Sequence, residues 1–274
     1  MPDALNRHLG HDGATVPDSY YVRLGEDRFV STLHSQGAWQ PGEQHLAPAS
    51  GLVLAEVERR LPSEKIVSRV SFDILGVIHS GEFTIDVSVV RPGRTIELIE
   101  ASMRHGDRVS IQARVWRLLG SDTTAVAGSE WTPLPAPEEM PASPFSDRWG
   151  GGYIASLKGR QDADARPGFA RSWITSPLPL VDGEVDPPAA AVVKFVDTAN
   201  GLAIRADPRT TFFPNVDLTI HLVRTPEPGW VGFETRVAFG PTGVGETASV
   251  LSDALGPIGT AAQSLTVRMG QGAK

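Results

Sequence analysis

Asp197 and Gln263 are polar residues set among apolar ones, and Asn215 stands near a strand start; each could do chemistry or serve structure alone. Asp197 follows the apolar helical run Ala189 to Val196 and has Val193 four residues and Val196 one residue before it. That spacing puts its carboxylate at the edge of a buried helix face, where a charge is costly unless it is paired or solvated by a pocket. It reads either as a candidate base or as a helix-end Asp facing water. Gln263 shares strand parity with Ala261, Leu265, Val267 and Met269, so it is a polar side chain on an apolar face. It could hold a reacting group or simply bond backbone. Asn215 follows Pro214 and by parity groups with Asp217, Thr219 and His221, opposite Val216. It is either a plain turn Asn or, near the strand's start or through a bulge, a third group aimed at the same place, with Asp217 and Thr219 as substitutes.

Other chemistries lack their residues. The chain has no cysteine, which removes thiolate nucleophiles, disulfides and Cys-ligated zinc. No Gly-x-Ser-x-Gly elbow and no His-Glu-x-x-His occurs. Asp217 and His221 form an acid–base pair by sequence distance, but both lie on the polar side of a strand, so His221 reads as a surface residue. The other six His residues show no metal spacing. Gly150-Gly151-Gly152-Tyr153 lacks the Lys-Ser/Thr of a phosphate loop and reads as a flexible connector. Glu56 reads as a solvated or inter-repeat residue. The net charge of −7, with no Lys/Arg run longer than two, excludes a nucleic-acid partner. It leaves room for a few local Arg residues facing an anionic ligand. No apolar run is long enough to span a membrane. Met1 to Asp18 is polar and has no signal-peptide core, so a cytoplasmic protein is expected.

The elements that must position these residues repeat. Tyr20 to Leu24, Gly25-Glu26-Asp27 and Arg28 to Thr32 compose a hairpin. Ala47 to Leu61 gives a helix with one apolar side through Leu52, Ala55 and Val57, ended by Pro62. Period-2 strands follow at Phe83 to Val89, Ile96 to Met103 and Val109 to Val115. Pro133, Pro135, Pro137, Pro141 and Pro144 then mark an extended linker. The second half shows the same order. Gly168 to Ile174 is a strand. Pro187 to Asn200 is a helix, with Asp186 as its cap and Gly201 at its stop. Strands follow at Val216 to Leu222, Val231 to Val237, Glu246 to Leu251 and Gly259 to Met269. The prediction is an α+β duplication, each antiparallel sheet covered on its apolar face by one helix. The divisions are 17–132 for the first repeat, 133–147 for the proline-rich linker and 148–270 for the second repeat, which carries the candidate site.

Three stretches resemble the TesB-type double hot-dog acyl-CoA thioesterases. They are Ala189 to Asp197 with Asn200-Gly201-Leu202, Phe213-Pro214-Asn215-Val216-Asp217-Leu218-Thr219, and Gly259 to Arg268. Arg91 to Leu98 is similar to the family's N-terminal turn and strand, and Pro179 to Glu184 to the approach to its second helix. The resemblance covers most of residues 20 to 269. It implies a double hot-dog fold and hydrolysis of an acyl-CoA substrate by a water. That water would be held by an Asp on the second helix, a Thr or Ser at a strand start and a Gln on the last strand. Carried over, these are Asp197, Asn215 and Gln263, with Asn215 departing from the hydroxyl residue. The resemblance further implies no bound cofactor, no covalent intermediate, an oxyanion held by backbone N–H groups near a helix start, an acyl chain lying between helix and sheet, and a homo-oligomer. Two alternatives keep the fold. One is a hot-dog enoyl-CoA hydratase or dehydratase, for which Asp217 and His221 are one residue too close. The other is a non-catalytic acyl-CoA-binding module, which the Asn215 departure favours.

Overall fold

The computed structural model describes residues 17–40 and 42–270; most of the polar Met1 to Asp18 segment lies outside them. The hairpin forms as the composition predicts. β1 (Tyr21–Arg23) pairs with β2 (Arg28–Ser31), Tyr21 opposite Ser31. α1 (Leu46–Arg60) follows. Its side chains are buried from Leu46 through Val57, so it is no helix with one apolar side but one enclosed all round. β3 (Lys65–Ile74), β4 (Glu82–Arg91), β5 (Ile96–His105) and β6 (Arg108–Leu119) complete the first half.

The second half opens on a single helical turn, α2 (Gly152–Ala155), and the strands β7 (Lys158–Gln161) and β8 (Phe169–Thr175). Two helices follow, α3 (Pro188–Val196) and the short α4 (Ala199–Leu202). The remaining strands are β9 (Thr211–Phe212), β10 (Asp217–Leu222), β11 (Val231–Phe239), β12 (Val244–Asp253), β13 (Gly256–Thr266) and β14 (Arg268–Met269). Asp186 does not cap α3. Its carboxylate accepts from the Leu180 N–H at 2.8 Å and from Lys194 Nζ at 2.7 Å. Gly201 lies inside α4 rather than at a helix stop.

The two halves do not carry separate sheets. Twelve strands form one sheet in the order β1-β2-β4-β5-β6-β3-β10-β13-β12-β11-β8-β7. The seam is the antiparallel pair β3 and β10, with Val70 opposite Ile220 and Phe72 opposite Leu218, all four buried. Backbone pairing thus continues from one half into the other, and neither half has a free edge at its centre.

Against this sheet α1 and α3 pack on each other. The contact is close because Gly51 faces Lys194: a Cβ on Gly51 would lie 2.6 Å from Lys194 Cβ and 2.9 Å from its Cα. Ala189, Ala190 and Ala191 keep the start of α3 slim as well. Lys194 is buried at this contact because Asp186 and the Leu178 carbonyl take its ammonium protons. Glu56 on α1 is 1% exposed. It is not solvated. Arg23, Arg59 and Arg60 bond its two oxygens, and Arg23 also bonds Glu184 of the second half. The inter-repeat reading of Glu56 is therefore the one realised.

The proline-rich segment does not hang free. Met140 and Phe145 are buried, the Ser143 N–H donates to the Gly159 carbonyl, and Trp173 Nε1 donates to the Pro135 carbonyl. The segment covers the β7–β8 end of the sheet, an edge that would otherwise be open to pairing. No described helix is long and apolar enough to cross a membrane.

Candidate active site

Asp197 is the residue at which α3 stops. Its backbone is still helical, its residue exposure is 5%, and its carboxylate turns inward rather than to water. Asn215 precedes β10 and bridges to Leu265 of the neighbouring β13. From there its amide Nδ2 donates to Asp197 Oδ1 at 2.7 Å and to the Asp217 carbonyl at 3.0 Å. Gln263 points inward from β13 between buried Ala261 and Leu265. Val267 still packs into the apolar cluster of Leu265, whereas Met269 lies exposed on β14. Gln263 Nε2 donates to Asp197 Oδ1 at 2.8 Å and to the Asp197 carbonyl at 3.3 Å. The structure thus brings all three residues together. Asp217 does not substitute for Asn215: it accepts from the Ser264 N–H. His221 is exposed and far from this cluster in register, opposite Arg69 and Thr260.

The carboxylate is unevenly satisfied. Oδ1 takes both amides, whereas Oδ2 has neither. Burial pushes the Asp197 carboxyl up, to about 6, and the Asn215 and Gln263 donors pull in the opposite direction without cancelling it. Gln263 Oε1 is buried with no hydrogen-bond partner among the described residues. The site therefore carries a spare acceptor next to a carboxylate that ionises near neutrality.

A fourth residue comes from the first half and is absent from the sequence-based set. His45 caps α1, its Nδ1 accepting from the Ala47 N–H at 3.1 Å. The same Nδ1 lies 3.3 Å from Asp197 Oδ2. One lone pair cannot accept from Ala47 and also donate to a carboxylate. The contact is therefore no ion pair. Burial holds the imidazole neutral, with its pKa lowered to about 3. A lone pair facing Oδ2 disfavours the ionised carboxylate, the same direction as burial. The sequence signal for His45 was its place just before a helix start marked by Pro48, a position where a polar cap belongs.

Gly150 to Tyr153 is no flexible connector. A Cβ on Gly152 would lie 1.9 Å from the Leu33 carbonyl oxygen, so only glycine allows this approach. It delivers Tyr153, fully buried, whose ring lies 4.4 Å from the His45 ring and whose hydroxyl bonds Thr198 Oγ1 at 2.8 Å. Tyr153 thereby ties His45 to the turn that follows Asp197.

Asp197 and Asn215 line a cleft of about 120 Å³ together with Ala38, Trp39, His45 and Leu46. The site thus belongs to both halves, not to the second repeat alone. The first half has its own counterpart at the end of α1. There Arg117 of β6 bonds the Leu61 carbonyl at 2.6 Å, as Gln263 of β13 bonds that of Asp197. Glu97 and Lys65 close that place with ion pairs, while Glu58 near Arg117 keeps a buried Oε2 with no partner among the described residues, and burial pushes its carboxyl up to about 7.

Family models decide the relationship. The acyl-CoA thioesterase N-terminal domain matches residues 35–118 and the acyl-CoA thioesterase C-terminal domain residues 129–267. The chain belongs to the acyl-CoA thioesterase family. Acyl-CoA thioesterases hydrolyse the thioester to free acid and coenzyme A, and that is the reaction of this chain's family. No curated protein matches the chain in sequence. Among solved structures it is similar to a conserved protein of unknown function with hot dog fold from Alicyclobacillus acidocaldarius. That match has 12% identity over 97% of this chain and 98% of that one, with a TM-score of 0.70. It is also similar to an acyl-CoA thioesterase II from Mycobacterium marinum, with 13% identity, 99% of both chains and a TM-score of 0.66. The dehydratase domain of the CurF module of curacin polyketide synthase aligns less closely, at 13% identity over 92% and 98% with a TM-score of 0.54. The thioesterase's double hot-dog architecture follows from these likenesses and from the two central helices within one sheet.

Proposed function

We propose that Asp197 is the general base of the hydrolysis and that Gln263 and Asn215 position it and its water. The observation that carries this reading is the uneven carboxylate. Both amides bond Oδ1, which fixes the group and leaves Oδ2 to take a proton. Gln263 Oε1, buried and unpaired, suits the second O–H of the same water. The water oxygen attacks the thioester carbon as its proton passes to Asp197. The C=O electrons move onto oxygen, and the proposed donor to that charge is the first-turn N–H of Leu46, a residue that lines the cleft at the start of α1. When the C=O re-forms, the C–S bond breaks and the Asp197 proton goes to the coenzyme A sulfur. No group is left attached to the protein.

Asn215 serves here as a donor to the carboxylate, which a hydroxyl could also be, so its presence does not favour a silent binding module. The hydratase alternative has no support from geometry, since His221 is exposed and Asp217 is engaged by backbone. The acyl-CoA substrate is bound by the fused chain, and a homo-oligomer is the proposed assembly. Its support is the run of exposed apolar residues Val89, Val90, Ile96, Leu118 and Leu119 at one end of β4, β5 and β6.

The test is thiol release from a series of acyl-CoAs by the wild type and Asp197→Asn. The variant should lose at least about a hundredfold in kcat, the usual scale for a general base. Turnover within about twofold of wild type, less than 1 kcal/mol of barrier, would remove Asp197 from the reaction.

A further inference from the structure

The Asp197 cleft has a neighbour. A second cavity, of about 30 Å³, is lined by Phe145, Trp149, Ile154 and Leu202 on its far side. The two spaces share one wall, made of Ala38, Trp39 and His45. The indole of Trp39 is the bulk of that wall, and it is fixed from three sides. Its ring packs on Trp149 at 5.3 Å, on Phe213 at 5.8 Å and on Phe212 at 6.1 Å, mostly edge to face. The loop that carries it is closed by one carboxylate oxygen, since Glu43 Oε1 accepts from the Trp39 N–H at 2.8 Å and from the Gln40 N–H at 2.9 Å. Trp149 on the far wall is anchored in turn, its Nε1 donating to the Gly201 carbonyl at 3.1 Å.

This inner space is mainly apolar, with His45, Thr198 and Asn200 also on its wall, and very small. A single water needs about 10–15 Å³ by the same measure, so the cavity takes about two groups of that size. It does not lie between helix and sheet, where the acyl chain was expected, but between the Trp39 loop and the Phe145 to Ile154 segment. We propose that Trp39 sets the acyl-length limit of this thioesterase. With the indole in place, an acyl group whose carbonyl sits at Asp197 meets it within a few carbons, so the chain takes short acyl-CoAs. Without the indole, cleft and inner pocket become one channel whose inner end is lined by Phe145, Ile154 and Leu202. The inference rests on the assignment of Asp197 to the reacting centre.

The experiment compares kcat/KM for acetyl-, butyryl-, octanoyl- and dodecanoyl-CoA in the full-length wild type, Trp39→Ala and Trp39→Phe. The wild type should prefer butyryl-CoA or shorter. Each further methylene that finds apolar contact adds about fourfold in binding, so Trp39→Ala should raise the octanoyl-to-butyryl ratio at least about tenfold. Trp39→Phe should raise it less. A ratio that moves less than about twofold in a Trp39→Ala protein of unchanged thermal midpoint overturns the proposal, since even one added methylene would exceed that. So does a wild type that already prefers octanoyl- or dodecanoyl-CoA. If Trp39→Ala does not fold, Trp39→Leu thins the same wall and must shift the ratio in the same direction; failure to do so counts equally against it. A wild type that releases no thiol from any acyl-CoA sinks the Asp197 assignment and this inference with it, whereas turnover with an unmoved ratio sinks this inference alone.

Discussion

At the scale of single residues, the proposed base is Asp197, and its carboxyl must be ionised to take a proton from water. Burial raises it from 3.8 to about 6, against the pull of two amide donors. The sign for catalysis is direct. A base must be ionised, so kcat/KM should fall as pH drops below about 6, with one acidic limb. His45 adds no second limb in that range, because burial keeps it neutral down to about 3. A pH–rate profile on a short acyl-CoA checks this, and a limb near 4, where an unperturbed Asp titrates, would contradict it. The sign for stability is opposite to that of an ordinary paired Asp. The folded state holds the proton more tightly than the unfolded one, so ionised Asp197 costs stability above pH 6, by roughly 3 kcal/mol from the size of the shift. That penalty fades as pH falls through 6 and is gone below 3.8. An Asp197→Asn protein at neutral pH should therefore be inactive and at least as stable as wild type.

At the scale of elements, the α1–α3 contact sets the distance between His45 and Asp197, since each sits at an end of one of these helices. Gly51 is its closest point. Glycine inside a helix costs about 1 kcal/mol relative to alanine, so by propensity alone Gly51→Ala should stabilise the protein. The new methyl would lie 2.6 Å from Lys194 Cβ and 2.9 Å from its Cα, and backbone must move to make room. Such overpacking costs about 1–3 kcal/mol. The clash should win, giving a lower denaturant midpoint and a slower enzyme, while a raised midpoint would mean that the helices stand further apart. Neither helix end could be placed so finely from sequence. Periodicity marked both helices, yet Leu52, Ala55 and Val57 suggested one apolar side when every side chain from Leu46 to Val57 is buried. The strands that alternate cleanly were legible, including β4, β6, β10 and β11. β3 was not, because the bulge between Val67 and Arg69 breaks its period. β7, with four residues, is too short to show one. Asp197, Asn215 and Gln263 were legible only through the resemblance. The place of His45 before a helix start marked it as a cap, but its meeting with Asp197 across the helix pair is a contact that no local spacing encodes.

At the scale of the whole molecule, the two halves differ at the ends of their central helices, and the proposed catalytic place is the one in the second half. The end of α3 keeps an inward carboxylate, whereas the end of α1 is plugged by Arg117, Glu97 and Lys65. The first half nonetheless remains part of the enzyme. Its β3 is the backbone partner of β10, and its His45, Leu46 and Trp39 form walls of the cleft. A fragment beginning at Gly120 and carrying only the second half would expose the β10 edge and the face of α3 that Gly51 covers. An unpaired strand edge beside uncovered apolar surface favours association between copies over folding. The fragment should aggregate or unfold without a cooperative transition, and should release no thiol even where it stays soluble, because the cleft loses one side. Coexpression with residues 17–119 should restore both solubility and turnover. Light scattering, thermal melts and thiol release on the fragment alone decide the matter. A soluble, cooperatively folded second half with wild-type turnover would mean that the seam between β3 and β10 joins two independent domains and that the first half is dispensable to the chemistry.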